Sequence, residues 1–434
     1  MSTSKPATDP TAKATPESGS ASNQPAKKGK AESLRYVVGL FIYNLLVYIG
    51  FNGAVAVLLP QRLKDIGVAN PSALLGTISG VGAVLSMFIN VFIGSMSDRT
   101  RSRFGRRTPW IVAGAVVDGV CFYAVGLPKS GSMVGIIYCI SLIGLNMMTA
   151  PITAVLSDRV PEKDRGTAAA AFGGGAVIGQ GIGTLMDSAF INHTQVGFLV
   201  AGIALLLAGW IPMAVIPREA SNKDIPKTAE PVWKVLVHAF TPPTKGASDF
   251  WKAFICRTGL LIAYQMITAY QLYILEDRIG QTKAQAGSVI ATMSMITMVV
   301  SLIATFSSGP ISDMIKRRKP PIIFACALYA IGIALAWAIP TPTGMLLFAG
   351  VAGFGYGMYS AIDQALNVDV LPNKENAGKD LGFINIATCA GQAIGSVFTS
   401  TIVTVSGGYN LVFPVAITMT IFSAIAAVMI KKVR

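Results

Sequence analysis

The sequence predicts an all-α integral membrane protein: twelve transmembrane helices in two pseudo-symmetric six-helix bundles. Three observations lead there. The chain is 52% hydrophobic and only 13% charged, about half the charged fraction of a soluble domain, with a mean hydropathy of +0.57. About twelve apolar runs approach the roughly 20 residues that a helix needs to cross hydrocarbon. Finally, sequence landmarks of the first half return in the second.

The elements follow in order. Residues 1–32 are rich in Ser, Thr, Ala, Pro and Lys, and read as a disordered tail rather than a signal peptide. Apolar runs near 35–59, 73–96, 109–127, 133–157, 166–190 and 197–216 form a first bundle, 33–216. A polar connector, 217–251, carries Pro217, Pro226, Pro231, Pro242 and Pro243. Runs near 252–276, 285–308, 320–340, 344–369, 379–403 and 409–430 form a second bundle, 252–434. These runs lack the strict alternation of barrel strands, and spanning helices pair their backbone groups internally, as lipid requires.

The net charge of +14 is a topology signal rather than a nucleic-acid footprint. With loops assigned alternately to two sides, all Lys and Arg except Arg62, Lys64, Lys129, Arg278 and Lys283 fall on the side of the termini. The positive-inside rule then puts both termini in the cytoplasm of a multi-pass cell-membrane protein. The five cysteines sit inside apolar runs without a CxxC pair and read as packing residues. Two histidines, His193 and His238, argue against a histidine-ligated metal. With no nucleophile beside a base and no intact nucleotide motif, the chain reads as no enzyme, with no metal and no cofactor beyond a coupling ion. Glycines such as Gly173–Gly175 and Gly179–Gly183 signal close helix packing, not a phosphate loop.

Gly94 and Asp98, followed by the basic run Arg99 to Arg107, match Gly309 and Asp313, followed by Lys316 to Lys319. Asp158 with Pro161 matches Asp369 with Pro372. Gly179-Gln180-Gly181-Ile182-Gly183 matches Gly391-Gln392-Ala393-Ile394-Gly395. The offsets stay between 211 and 215 residues, as expected of an internal repeat with a binding cavity at its interface.

The loop pattern, the two halves and the connector resemble the major facilitator superfamily over about residues 33–432. The run DRTRSRFGRR at 98–107 resembles more particularly the glycoside–pentoside–hexuronide:cation symporters and the related sucrose–proton symporters. The segment Gly355 to Leu366, leading to Asp369-Val370-Leu371-Pro372, is similar to bacterial members of that branch. The resemblance implies alternating access, a sugar as substrate and salt-bridge gates on the cytoplasmic side. Under it, Asp98, Arg99, Arg106, Arg107, Asp158, Arg159, Asp313, Arg317 and Asp369 are gate candidates, against the alternative of a basic face that fixes topology. The chain departs from the branch in lacking an acid in helix 2 above Asp98 and in helix 4 above Asp158.

Polar residues on apolar helices mark the binding candidates. Asn44, Tyr48 and Asn52 form a stripe on helix 1; helix 7 carries Tyr264, Gln265, Thr268 and Gln271. Tyr356, Tyr359, Asp363 and Asn367 share one face of helix 10, while Asn385 and Gln392 lie along helix 11. Asn146 and Gln180 join them from helices 4 and 5. Amides, hydroxyls and aromatic faces suit a sugar, although the same groups serve as glue between helices. Asp363 and Asp118 are intramembrane acids, hence proton-coupling candidates, or acids satisfied by helix contacts. Asp187, Glu276 and Asp277, near the outer face, read as solvated.

The expected function is therefore uptake of a sugar or glycoside, a disaccharide favoured, by proton symport. The expected partners are that small molecule and the bilayer, with no nucleic acid and no obligate protein partner. Two other readings stand beside it: an uncoupled sugar facilitator, and an efflux antiporter for drugs or metabolites, which the 17 methionines keep open.

Overall fold

The computed structural model describes residues 29–219, 221, 237, 240–244, 247–315, 317–372 and 377–431. Residues 1–28 of the expected tail and most of the connector lie outside them. α1 (Lys30–Gly53) passes through a π turn (Ala54–Leu58) into a last segment, Leu59–Asp65. α2 (Pro71–Arg99), α3 (Thr108–Val125), α4 (Gly131–Asp158) and α5 (Glu162–Ala189) follow. A 3-10 turn, Ile191–His193, leads into α6 (Thr194–Val215). α7 (Ser248–Thr268) ends in a short turn (Gln271–Tyr273) and a π turn (Ile274–Arg278). α8 (Lys283–Ile315), α9 (Lys319–Ala338), α10 (Pro342–Asp369), α11 (Ala377–Ser406) and α12 (Val412–Val428) complete the chain.

Among the described residues, ten helices are long and apolar enough to cross a membrane. The two others are α12, with 17 residues, and α7, whose first turns carry Asp249, Lys252 and Arg257. Several helices overrun their apolar segments. α2 continues to Arg99 and α8 to Ile315, because a helix need not stop where hydrocarbon does.

Local signals set the ends. Asn70 accepts a hydrogen bond from the Ala73 amide (3.2 Å) ahead of Pro71, and Thr341 does the same for Gly344 (3.4 Å) ahead of Pro342. These caps satisfy amides that the first turn leaves free. The extensions of α1 and α7 run into Gly67 (φ 73°) and Gly280 (φ 77°), left-handed positions that favour glycine. Their numbers differ by 213 residues, within the 211 to 215 of the other landmarks of the repeat.

α1 packs on α5 and α6, α3 lies between α4 and α6, and α2 rests on α4. In the second half α7 packs on α11 and α12, α10 lies between α8 and α9, and α9 meets α12. The halves join chiefly where α2 meets α11 and α5 meets α8. The repeated glycines allow the closest of these approaches. A Cβ on Gly183 would lie 2.6 Å from the Ile49 carbonyl, and one on Gly395 2.7 Å from the Ile262 carbonyl. Small residues at such crossings let helices pack backbone to backbone in lipid.

Candidate functional site

A cavity of about 220 Å³ opens between the halves. α1 contributes Asn52, α5 Gln180 and Thr184, α7 Tyr264, Gln265 and Thr268 with Gln271 beyond its end, and α11 Gln392. α10 contributes Tyr356 and Ser360, and α8 a column of Ser294, Thr297, Ser301 and Thr305. Its apolar wall includes Met293, Met298, Tyr329 and Phe348. Among the described residues, no Asp, Glu, Lys, Arg or His side chain lines it.

The wall is preorganised. The Tyr264 and Tyr356 rings stack with centroids 4.3 Å apart, and Tyr329 stands 6.5 Å from each. Gln180 donates to the Tyr264 hydroxyl across the halves (3.2 Å), and Gln265 donates to Ser396 (3.2 Å). The α8 column is partly spent. Thr297, Ser301 and Thr305 donate to the carbonyls of Ala349 (3.3 Å), Gly353 (2.9 Å) and Gly357 (3.3 Å), a zipper between α8 and α10. Their oxygens keep acceptor capacity toward the cavity. The sequence reading missed this column, although its spacing of three and four residues is that of a helix face.

Of the binding candidates, Asn52, Gln180, Tyr264, Gln265, Thr268, Gln271, Tyr356 and Gln392 line the cavity. The others lie elsewhere. Asn44 donates to the Phe172 carbonyl (2.7 Å) and ties α1 to α5. Tyr48 is half-buried on α1 beside Gly179. Asn146 accepts from Asn90 (3.1 Å) between α4 and α2, and Asn385 is exposed.

Tyr359, Asp363 and Asn367 form a buried network behind the cavity wall. Arg257 of α7 donates to Asp363 at 2.6 Å and to Thr388 at 3.0 Å. Tyr359 (2.9 Å) and Asn367 (3.0 Å) also donate to the Asp363 carboxylate. Three groups thus hold a carboxylate that is 4% exposed, which is what keeps a charge inside a protein. The sequence reading had counted Arg257 among the basic residues of the connector side; it is a buried counter-ion.

Asp118 lies at the α3–α4 crossing, away from the cavity. Ser141 donates to one of its oxygens (2.8 Å), and the other has no partner. Asp187, expected to be solvated, is 0% exposed. Its carboxylate packs against Gly53 of α1. Glu276 and Asp277 are not free acids either: Lys64 pairs with both, at 2.6 and 2.5 Å.

The two ends of the molecule are held differently. Away from the termini, polar contacts join the halves: Lys64 with Glu276 and Asp277, and Lys283 with Asp65 (3.0 Å). Ser72 meets the Tyr409 hydroxyl (2.6 Å), and Tyr273 donates to the Pro60 carbonyl (2.9 Å). At the end bearing the termini, the gate candidates pair within one half. Arg107 bridges Asp98 (2.6 Å) and Asp158 (2.7 Å), while Arg106 also reaches Asp158 (2.9 Å). Arg99 closes α2, and Arg159 donates to the Pro217 carbonyl (2.6 Å). Glu219 accepts from the amides of Arg107 (2.9 Å) and Thr108 (3.5 Å), an anion on the positive end of α3. In the second half Arg318, next to the expected Arg317, meets Asp369 at 3.4 Å. The side chain of Asp313 lies outside the described residues.

Comparisons with known proteins agree with this architecture. The family model described as Major Facilitator Superfamily matches residues 40–297 and 254–434. An uncharacterized MFS-type transporter of Methanocaldococcus jannaschii is 24% identical over 72% of this chain and 75% of its own length. The sucrose transport protein SUC4 of Arabidopsis thaliana is 35% identical over 16% of this chain and 13% of its own. Solute carrier family 45 member 3 of Mus musculus is 27% identical over 29% and 25%. A bacterial homolog of the human lysosomal transporter Spinster, inward-facing and unoccupied, shares the fold with a TM-score of 0.67 at 16% identity, over 92% of this chain and 96% of that one. The human organic anion transporter MFSD10 does so with a TM-score of 0.66 at 13% identity, over 91% and 99%. The chain is a multi-pass membrane transporter belonging to the Major Facilitator Superfamily.

Proposed function

We infer that the protein takes up a neutral, hydroxyl-rich solute, a sugar or glycoside with a disaccharide favoured, by alternating access and proton symport. The observation that carries this reading is that, among the described residues, a cavity wall rich in amides and hydroxyls holds no charged side chain. An uncharged wall leaves an organic anion or cation without a counter-charge and pays its desolvation cost. Amides and hydroxyls both donate and accept, as sugar hydroxyls do, and the Tyr264–Tyr356 pair offers ring faces to C–H surfaces. The resemblance of residues 98–107 to the sugar–cation branch and the partial similarity to a sucrose transport protein point the same way.

On this reading the termini are cytoplasmic, and the arrangement described above is sealed outside. The ion pairs at Asp98, Arg106, Arg107 and Asp158 then await partners across the halves when the cytoplasmic side closes. Asp363 is the coupling carboxyl. It lies one turn from Ser360 on the cavity wall, and a proton on it would release Arg257. Asp118, away from the cavity, is the second candidate.

Uptake of a labelled monosaccharide and disaccharide panel into proteoliposomes, with and without an inward proton gradient, tests this. The expected result is accumulation that follows the gradient and is lost in Asp363→Asn. Saturable uptake indifferent to the gradient would leave a facilitator. Absence of uptake for every sugar would overturn the substrate class.

A further inference from the structure

The end of α5 holds a carboxyl that the cavity chemistry above does not use. Asp187 is 0% exposed, and neither of its oxygens has a hydrogen-bond or ion-pair partner. It packs against Gly53, where α1 enters its π turn, so closely that a Cβ on Gly53 would collide with the carboxylate. The cavity begins beside it: Asn52 and Val55 flank Gly53, Thr184 lies one turn before Asp187, and all three line the wall. On the far side, Ser188 and Ile191 touch α8. A Cβ on Gly287 would stand 3.1 Å from the Ser188 carbonyl and 3.0 Å from Ile191. Asp187 therefore sits where α1, α5 and α8 converge beneath the sealed end.

Internal symmetry shows what this niche accepts. The offset that superposes Gly179–Gly183 on Gly391–Gly395 carries Asp187 onto Thr399. The glycines of α5 press on the carbonyls of Leu45 and Ile49, and those of α11 on Thr258 and Ile262. That register carries Gly53 onto Met266. Thr399 is also 0% exposed, and its hydroxyl donates to the Met266 carbonyl (3.4 Å) and the Gly395 carbonyl (3.0 Å). The niche in the second half is thus filled by a neutral donor. An ionised carboxylate only accepts, whereas a protonated one also donates.

Among the described residues, the surrounding charges offer Asp187 no counter-ion. On α1 and its extension, Tyr48 lies more than a turn away, Arg62 donates to the carbonyls of Leu127 and Pro128, and Lys64 and Asp65 are held in the ion pairs at the sealed end. Lys283 at the start of α8 is bound to Asp65, Glu276 and Asp277 beyond α7 to Lys64, and His193 after α5 is exposed. α6 carries no titratable side chain. A dry, unpartnered carboxylate is strongly disfavoured, and a proton relieves it. Parting α8 from Ser188 and Ile191 would admit water, in which the group can ionise.

We propose that Asp187 is a proton-binding carboxyl that must be neutral for the end opposite the termini to seal, so that proton capture from that side drives closure. This rests on the proton-symport reading above and adds to it the site where the proton is taken up. The device belongs to the first half alone, because Thr399 holds the equivalent position without titrating.

The test is the distance between spin labels on the exposed positions Lys129 and Val405, one in each half. It uses the full chain in nanodiscs without added solute, with the half-buried Cys121, Cys139 and Cys389 replaced by alanine. In the otherwise unchanged protein the ratio of short to long distances should rise as pH falls, by up to about tenfold per pH unit for one linked proton. Asp187→Asn, and Asp187→Thr copied from the second half, should both stay at the short distance throughout. A pH response that survives in either variant, or none in the parent protein, overturns the assignment. Sealing that depends on pH through Asp187 in a protein that moves no sugar would refute only the substrate class. Proton-driven sugar uptake with an unchanged response in Asp187→Asn would refute only this assignment.

Discussion

The two halves share a scaffold and differ in where they place charge. In the register of the α1 and α7 glycine contacts, Asn44 corresponds to Arg257; by the offset of the α4 and α10 landmarks, Ile152 corresponds to Asp363. The first half therefore has an amide donating to a carbonyl at the first of these positions and a buried aliphatic side chain at the second. The second has a buried ion pair locked by Tyr359, Asn367 and Thr388. The reverse holds elsewhere: the first half buries Asp118 and Asp187 with oxygens unmatched, where the second has Thr399 at the position of Asp187. Duplication supplies two equivalent frames for helix packing, and the functional asymmetry is written in a few side chains. A charge inside the membrane is tolerated where a partner faces it, so Asp363 can ionise against Arg257 and a proton on it competes with that cation, whereas Asp118 and Asp187 have no cation to hold a charge.

The comparison can be broken most severely at Arg257. Arg257→Ala leaves Asp363 buried without its cation, and is expected to cost about 3–5 kcal/mol and to abolish transport. Arg257→Asn with Asp363→Ile, which copies the first half, should recover most of that stability without restoring coupling. Thermal unfolding in detergent reads the first quantity and proteoliposome uptake the second. A single substitution as costly as the double one would show that the two residues are not a pair.

The packing frame should respond equally in both halves. Gly183→Ala and Gly395→Ala each push a methyl group against a helix carbonyl, and about 1–3 kcal/mol is expected for each. A large difference between them in unfolding would deny the equivalence of the α1–α5 and α7–α11 crossings. In the cavity, Tyr356→Ala removes a stacked ring. The apparent KM for the transported solute should rise about tenfold, for the roughly 1 kcal/mol or more that an aromatic face contributes. Lys64→Ala and Lys283→Ala cut half-exposed ion pairs, worth about 0.2–1 kcal/mol each. Their expected effect is a small shift of the spin-label distances toward the open state, one that the charge swap Asp65→Lys with Lys283→Asp, which keeps that pair, should not show.

The fold was legible in the sequence because its determinants are local or periodic. Apolar length gives the spans, and the repeated Gly-Asp and Gly-Gln-x-Ile-Gly landmarks give the duplication. The site was half legible. A polar stripe on an apolar helix announces that something faces it, and eight of the expected binding residues do line the cavity. Which neighbour a stripe faces depends on helix rotation, which periodicity leaves open. Asn146 meets Asn90, and Asn44 meets a carbonyl of α5. Arg257 was counted with the basic residues on the connector side because it follows a polar connector, and Asp187 was read as solvated because it stands near the outer face. Both meet elements distant in sequence: Arg257 reaches Asp363 of α10, and Asp187 packs on Gly53 of α1. The α8 column was visible as Ser294, Thr297, Ser301 and Thr305, but small hydroxyls in a long apolar run are an inconspicuous signal.

The most direct measurement compares uptake of a neutral disaccharide with that of analogues of the same size bearing a carboxylate or an ammonium group. The uncharged wall of the cavity requires the neutral compound to be carried at least tenfold better than either analogue, since each charge would be buried without a partner. Preference for a charged analogue would contradict the account at its centre.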